Sequence, residues 1–143
     1  FIMGRSDNRY GDDEEPTRKI PILGSIAAGI PILAQQDILG YEIIPEHFSA
    51  TFCLKVKGDS MIGARILDGD IVYIRHQPDV ENGEIAAVII DGESATLKRV
   101  YKVSGTVILR AENPSYPEKV FSKKDMKDVK ILGKAVFFRS EVR

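Results

Sequence analysis

Beyond Tyr41 the chain is written in short runs of alternating apolar and polar positions, separated by turns rich in glycine, asparagine and aspartate. That pattern predicts strands at barrel or sandwich spacing, so the expected fold is mainly β: a compact antiparallel barrel or sandwich of short strands. Thr51 to Lys57 alternates, with Phe52, Leu54 and Val56 on one face, expected to be core, and Cys53, Lys55 and Lys57 on the other. Gly58-Asp59-Ser60 makes a turn, and Asp68-Gly69-Asp70 leads into a strand over Ile71 to Arg75. The unbroken apolar run Ile85 to Ile90 predicts a strand buried on both faces. Asp91-Gly92 is a strong hairpin signal, so Ala95 to Val103 is expected to return antiparallel beside it. Val107 to Arg110 reads as a further strand and Asn113 to Pro117 as a loop. Val129 to Phe138 is a long final strand, either interior to the barrel or an edge at which two copies pair.

The first half of this pattern is different. Residues 1–19 combine Gly4, Gly11 and Pro16 with many charges and little apolar periodicity, the composition of a solvated linker or arm. Residues 20–40 read as extended pieces broken by glycines and prolines, mobile yet apolar, so the segment needs a surface to lie on. Residues 20–143 are expected to form one domain.

Charge and composition narrow the possibilities. With 20 basic against 21 acidic residues, no overall field draws the chain to nucleic acid or acidic lipid. At 43% hydrophobic and 29% charged it can bury a real core, and one cysteine excludes a disulfide scaffold or a Cys-rich zinc site. A reducing, cytoplasmic setting is expected. The uncharged stretch Ile20 to Gln36 is shorter than a spanning helix and is interrupted by Pro21, Gly24, Gly29 and Pro31, so no membrane association is expected. The chain opens on Phe1 rather than methionine, and a fragment of a longer protein is expected.

No phosphate-binding glycine loop and no His-Glu-x-x-His pair is present, and His47 and His76 lie apart in polar surroundings as ordinary surface histidines. No cofactor and no metal is expected. Three features remain. Ser60 sits at a strand-to-turn corner where free backbone N–H groups can hold an oxyanion, although serine is at home in turns for its local hydrogen bonding alone. Lys98 faces the apolar Ile85 to Ala87 region across the hairpin. There burial disfavours the ammonium form and makes a neutral amine accessible, although a snorkelling lysine has the same pattern. Ala27-Ala28-Gly29 supplies the small side chains that a peptide needs to lie extended in a narrow cleft, close to a nucleophile.

Together these features resemble the self-cleaving domain of LexA-type repressors. The resemblance is carried by Gly24-Ser25-Ile26-Ala27-Ala28-Gly29-Ile30-Pro31-Ile32-Leu33-Ala34-Gln35-Gln36, by Val56-Lys57-Gly58-Asp59-Ser60-Met61, by Leu67-Asp68-Gly69-Asp70 and by Ala95-Thr96-Leu97-Lys98-Arg99. It runs from about Ile20 to the C-terminus. It implies that Ser60 is the nucleophile, Lys98 the general base and Ala28-Gly29 the scissile bond, with the backbone N–H groups of Asp59 and Ser60 as oxyanion donors. It further implies a homodimer and induction by the RecA filament on single-stranded DNA. Operator binding would pass through an N-terminal helix-turn-helix domain that this chain does not contain. A UmuD-like accessory subunit of a translesion polymerase is the alternative, although the Ala-Gly bond and the Ala-Gln-Gln run favour the repressor. Signal peptidases also use a serine-lysine pair, but at a membrane, and a non-catalytic interaction domain has no need of both Ser60 and Lys98.

Overall fold

The computed structural model describes residues 15–142. Nine strands follow in order: β1 (Thr17–Leu23), β2 (Ile38–Pro45), β3 (Phe52–Lys55), β4 (Ile71–His76), β5 (Ile85–Ile90), β6 (Thr96–Val103), β7 (Thr106–Arg110), β8 (Lys119–Phe121) and β9 (Val129–Arg139). They join one sheet in the order β2-β1-β3-β4-β9-β5-β6-β7-β8, with short 3₁₀ turns at Ile32–Ala34, Ile62–Ala64 and Lys123–Asp128.

The mainly β expectation holds, but the sheet is mixed rather than wholly antiparallel. β2 returns beside β1, and the chain then reverses again, so β3 runs parallel to β1 on its other side, pairing Ile22 with Cys53 and Leu23 with Leu54. β1 also begins inside the expected arm. Arg18 explains this: its guanidinium donates to the carbonyls of Phe48 and Ala50, and the Glu46 N–H donates to Pro16 O at 2.9 Å, fastening the strand's start to the β2–β3 connection. The rest of the expected arm, residues 1–14, lies outside the described residues.

The hairpin at Asp91-Gly92 forms as expected: both residues have positive φ (53° and 75°) and Glu93 N donates to Ile90 O at 3.0 Å. β5 is buried on both faces. Ala87 and Ile89 enter a core with Phe52, Leu54, Met61 and Leu97, while Ala86, Val88 and Ile90 enter a second core with Val100, Leu109 and Phe121. β3 departs from the one-faced reading, because Cys53 is also fully buried, in a third core with Ile20, Ile44 and Tyr73 beneath the β1–β2 hairpin.

β9 is not an open edge along its length. Its first half pairs with β5 from Val129 to Lys134, and its second half pairs with β4 from Gly133 to Arg139. The strand is interior where the two ladders meet, since Gly133 admits no side chain there: a Cβ would lie 2.3 Å from Arg75 O. Beyond Lys134 the side of β9 turned from β4 has no β5 partner.

Candidate active site

Ser60 owes its position to a turn fixed from several sides. Leaving β3, Val56 donates to Asp70 O at 2.9 Å and accepts from Gly69 N at 2.8 Å. Gly58, at φ 86°, donates its N–H to Asp68 Oδ1 at 2.7 Å. Asp70 is 1% exposed and accepts from Leu67 N at 2.8 Å, closing its own turn. The Leu67-Asp68-Gly69-Asp70 motif thus serves as the clamp of the serine turn as well as the start of β4. On the far side Asn113 Nδ2 donates to Asp59 O at 2.9 Å and Tyr116 Oη donates to Asp59 Oδ1 at 2.5 Å. Met61, 1% exposed, plugs the first core immediately after the serine. Among the described residues the N–H groups of Asp59 and Ser60 donate to no protein acceptor, so both stay available.

Lys98, on β6, stands opposite Ala86 of β5. On the same strand Arg99 pairs with Glu112 and Lys102 with Asp79, each at 2.6 Å, whereas Lys98 has no carboxylate partner among the described residues. Burial, assisted by the charge of Lys119, holds its pKa below the ordinary lysine range. Its Nζ lies 5.8 Å from the centre of the Tyr116 ring. Tyr116 therefore touches both halves of the site, its hydroxyl bonded beside Ser60 and its ring beside the amine.

The third feature lies on the loop between β1 and β2. Gly24 N donates to Asp37 O and Ser25 Oγ to Asp37 Oδ2, both at 2.9 Å, closing the loop's root, and Ala95 N donates to Ile26 O at 3.1 Å, tying it to the start of β6. A narrow cleft of about 80 Å³ runs between Gly24 and Ser25, the exit of β3, Ser60, and residues 94–97. Lys98 does not line that cleft, though its neighbours Thr96 and Leu97 do. Ala28 and Gly29 occupy the centre of a tight turn instead of the extended segment expected. Gly29 has φ 78°, and Ala28 rests half-buried on the core that contains Met61 and Leu97, the chain neighbours of Ser60 and Lys98.

Tyr116 and Asn113 were not legible as site features, because they reach Asp59 from 57 and 54 residues away and leave no local periodicity; Gln35 acts locally, through a side chain folded onto Ala27 and Ile30, and such polar bonds carry no period either. The pairing of asparagine with a proline-rich turn at Asn113-Pro114 was the available signal for a fixed loop. His47 and His76 are exposed, as expected. Among the described residues no group of three or more His, Cys, Asp and Glu side chains is arranged to hold a metal ion. No helix among them is long and apolar enough to cross a membrane.

Fold and site define a class: a mainly β domain in which a turn-borne serine with open backbone donors shares a cleft with a loop of the same chain. The chain belongs to the Peptidase S24-like family, which it matches over residues 21–136. It is similar to the LexA repressor of Magnetococcus marinus, with 45% identity over 139 residues, covering 89% of this chain and 58% of that protein. The LexA repressor of Syntrophomonas wolfei is 49% identical over 109 residues, covering 71% of this chain and 53% of that protein. That of Desulfitobacterium hafniense is 42% identical over 133 residues, covering 91% and 62%. The chain thus spans between about half and two thirds of the length of these relatives.

Proposed function

We propose that this chain is the self-cleaving domain of a LexA-like repressor and that it cuts its own Ala28–Gly29 bond. What supports the reading is that Ser60 and the loop's root line one cleft, while the Ala28 side chain packs on the core flanking both Ser60 and Lys98. In the reaction the neutral amine of Lys98 takes the proton of Ser60 Oγ, which attacks the carbonyl carbon of Ala28. The oxyanion is received by the N–H groups of Asp59 and Ser60, which cost little to reorganise because the turn is already clamped. Collapse breaks the C–N bond, and Lys98 returns the proton to the departing amine of Gly29, leaving Ala28 as an ester on Ser60. Water, deprotonated by Lys98, then attacks the ester; collapse expels Ser60 Oγ, which takes the proton back from Lys98, and the Ala28 carboxyl group loses its own proton to solvent. Because nucleophile and target share a chain, the step is unimolecular, and effective concentrations of about 10⁵ M or more are attainable once aligned.

The same reading makes the chain a homodimer and places operator binding in an upstream helix-turn-helix domain. The RecA filament on DNA would act by favouring the docked loop. Incubation of the purified chain at mildly alkaline pH, followed by intact mass measurement, is expected to give fragments 1–28 and 29–143. An unchanged mass, or the same cut in Ser60→Ala, would remove the proposal.

A further inference from the structure

The loop that carries Ala28 and Gly29 is closed by a single buried side chain. Gln35 is 5% exposed, and its amide uses both ends on the turn. Ala27 N donates to Gln35 Oε1 at 2.8 Å, while Gln35 Nε2 donates to Ala27 O at 3.0 Å and to Ile30 O at 2.7 Å. The three bonds bracket the central pair of the turn, so Ala28 and Gly29 are held from both sides while their own peptide group is bonded to nothing among the described residues.

A buried primary amide is expensive unless its donors and acceptor are all engaged, and here the turn engages them. Without them, a glycine at φ 78° at the tip of a loop rich in small residues has many conformations to choose from. Only an uncharged side chain with both a donor and an acceptor, long enough to span the turn, performs this task.

From this geometry we infer that Gln35 is a positioning residue for self-cleavage, holding the Ala28 carbonyl in the conformation that Ser60 attacks, and that it belongs to the substrate side of the reaction. The inference rests on the proposed function and adds a recognition rule. The polypeptide this site accepts carries, besides the small residues at the cut, a glutamine seven positions beyond the alanine (35 − 28), folded back onto it. An unstructured Ala-Gly peptide without that glutamine lacks the turn and is a poor substrate at any concentration that does not force the bend.

The test compares the intact chain with Gln35→Met, which keeps length and loses all three bonds, and Gln35→Glu, whose carboxylate accepts from Ala27 N but donates to neither carbonyl. First-order cleavage is followed at alkaline pH by mass, and the reactivity of Ser60 is followed separately by its labelling with a fluorophosphonate, which needs no loop. Both variants are expected to cleave at least ten-fold more slowly while Ser60 is labelled at the rate of the intact chain. Added in trans, the Gln35→Met chain is expected to cut a Ser60→Ala chain as fast as the unmodified enzyme does. The reciprocal pair, a substrate carrying both Ser60→Ala and Gln35→Met, is expected to be cut slowly. Cleavage of the variants at the rate of the intact chain overturns the inference, and so does a parallel loss of cleavage and labelling, which would mean that Gln35 supports the catalytic face. Failure of the intact chain to cut itself would instead count against the proposed function.

Discussion

Lys98 is half-buried with no anionic partner among the described residues, and its ammonium form is held at a disadvantage. The rate of self-cleavage is therefore expected to climb with pH and to level off below the ordinary lysine value of 10.5, with Lys98→Arg inactive across the same range. The same lowered pKa has a thermodynamic sign. The folded state binds that proton less readily than the unfolded chain, so stability is lost as pH falls through the folded pKa and is recovered as pH rises toward 10.5. Lys98→Met is expected to unfold at a higher temperature than the parent at neutral pH. The gap should close above pH 10.5, and calorimetry across the pH series checks both limits. Asn113 offers a second test at this scale. Its amide fixes the carbonyl of Asp59, so Asn113→Ala is expected to slow cleavage by about ten-fold, less than the roughly 10²–10³ lost when an oxyanion donor is removed outright, with Lys98's pH profile unmoved.

Among the elements, most of the β architecture was legible because it is written locally. Ile85 to Ile90 coincides with β5, Asp91-Gly92 turns with both φ values positive, and the returning strand starts within one residue of expectation. β8 was missed: three residues, Lys119–Phe121, with one buried side chain carry no period to read. β1 was hidden for a different reason, since Thr17 to Lys19 look like linker until Arg18 finds carbonyls some 30 positions away in sequence. Turn and strand context offered the serine and lysine as candidates beside ordinary readings, and the resemblance to LexA-type repressors brought them together; the Tyr116 contact left no local sign, because Tyr116 reaches Asp59 from 57 residues further along the chain. β9 shows how tightly the central ladders approach. Gly133 pairs with both His76 and Ala87, and an added methyl meets the Arg75 carbonyl. Gly133→Ala is expected to destabilise the domain by about 1–3 kcal/mol, the usual range for overpacking, measured by urea unfolding.

At the scale of the whole molecule, one polar cluster joins distant parts of the sheet. Glu42 on β2 accepts from the Tyr73 hydroxyl of β4 and, at 3.0 Å, from the Arg139 guanidinium at the end of β9. The Arg139 hydrogen bond does most to hold the Glu42 carboxyl below its ordinary value of 4.5, so the stability it confers is full above that pH and fades as acid titrates the group. Glu42→Gln is expected to lose about 1–2 kcal/mol at pH 7 and to approach the parent in acid. Burial, with the Glu42 charge beside it, pushes the neighbouring Cys53 thiol up to about 12, leaving it protonated and inert at neutral pH. The second half of β9, where Phe137 and Phe138 are each 39% exposed and β5 gives no partner, is the edge at which two copies would meet. On the homodimer reading proposed above, Phe138→Asp is expected to shift the sedimenting species from the mass of two chains to that of one.

β1 precedes the proposed cut and yet is an interior strand, laced to β2 along seven residue pairs and to β3 along two, with its Ile20 and Leu23, and Ile26 just beyond its end, sunk in the cores. Severing the chain at 28/29 would therefore leave a nicked but still assembled molecule, and whatever lies upstream would remain attached until that strand is pulled from the sheet. Scission and detachment would then be separate events with separate clocks, the first set by chemistry and the second by how often β1 peels away.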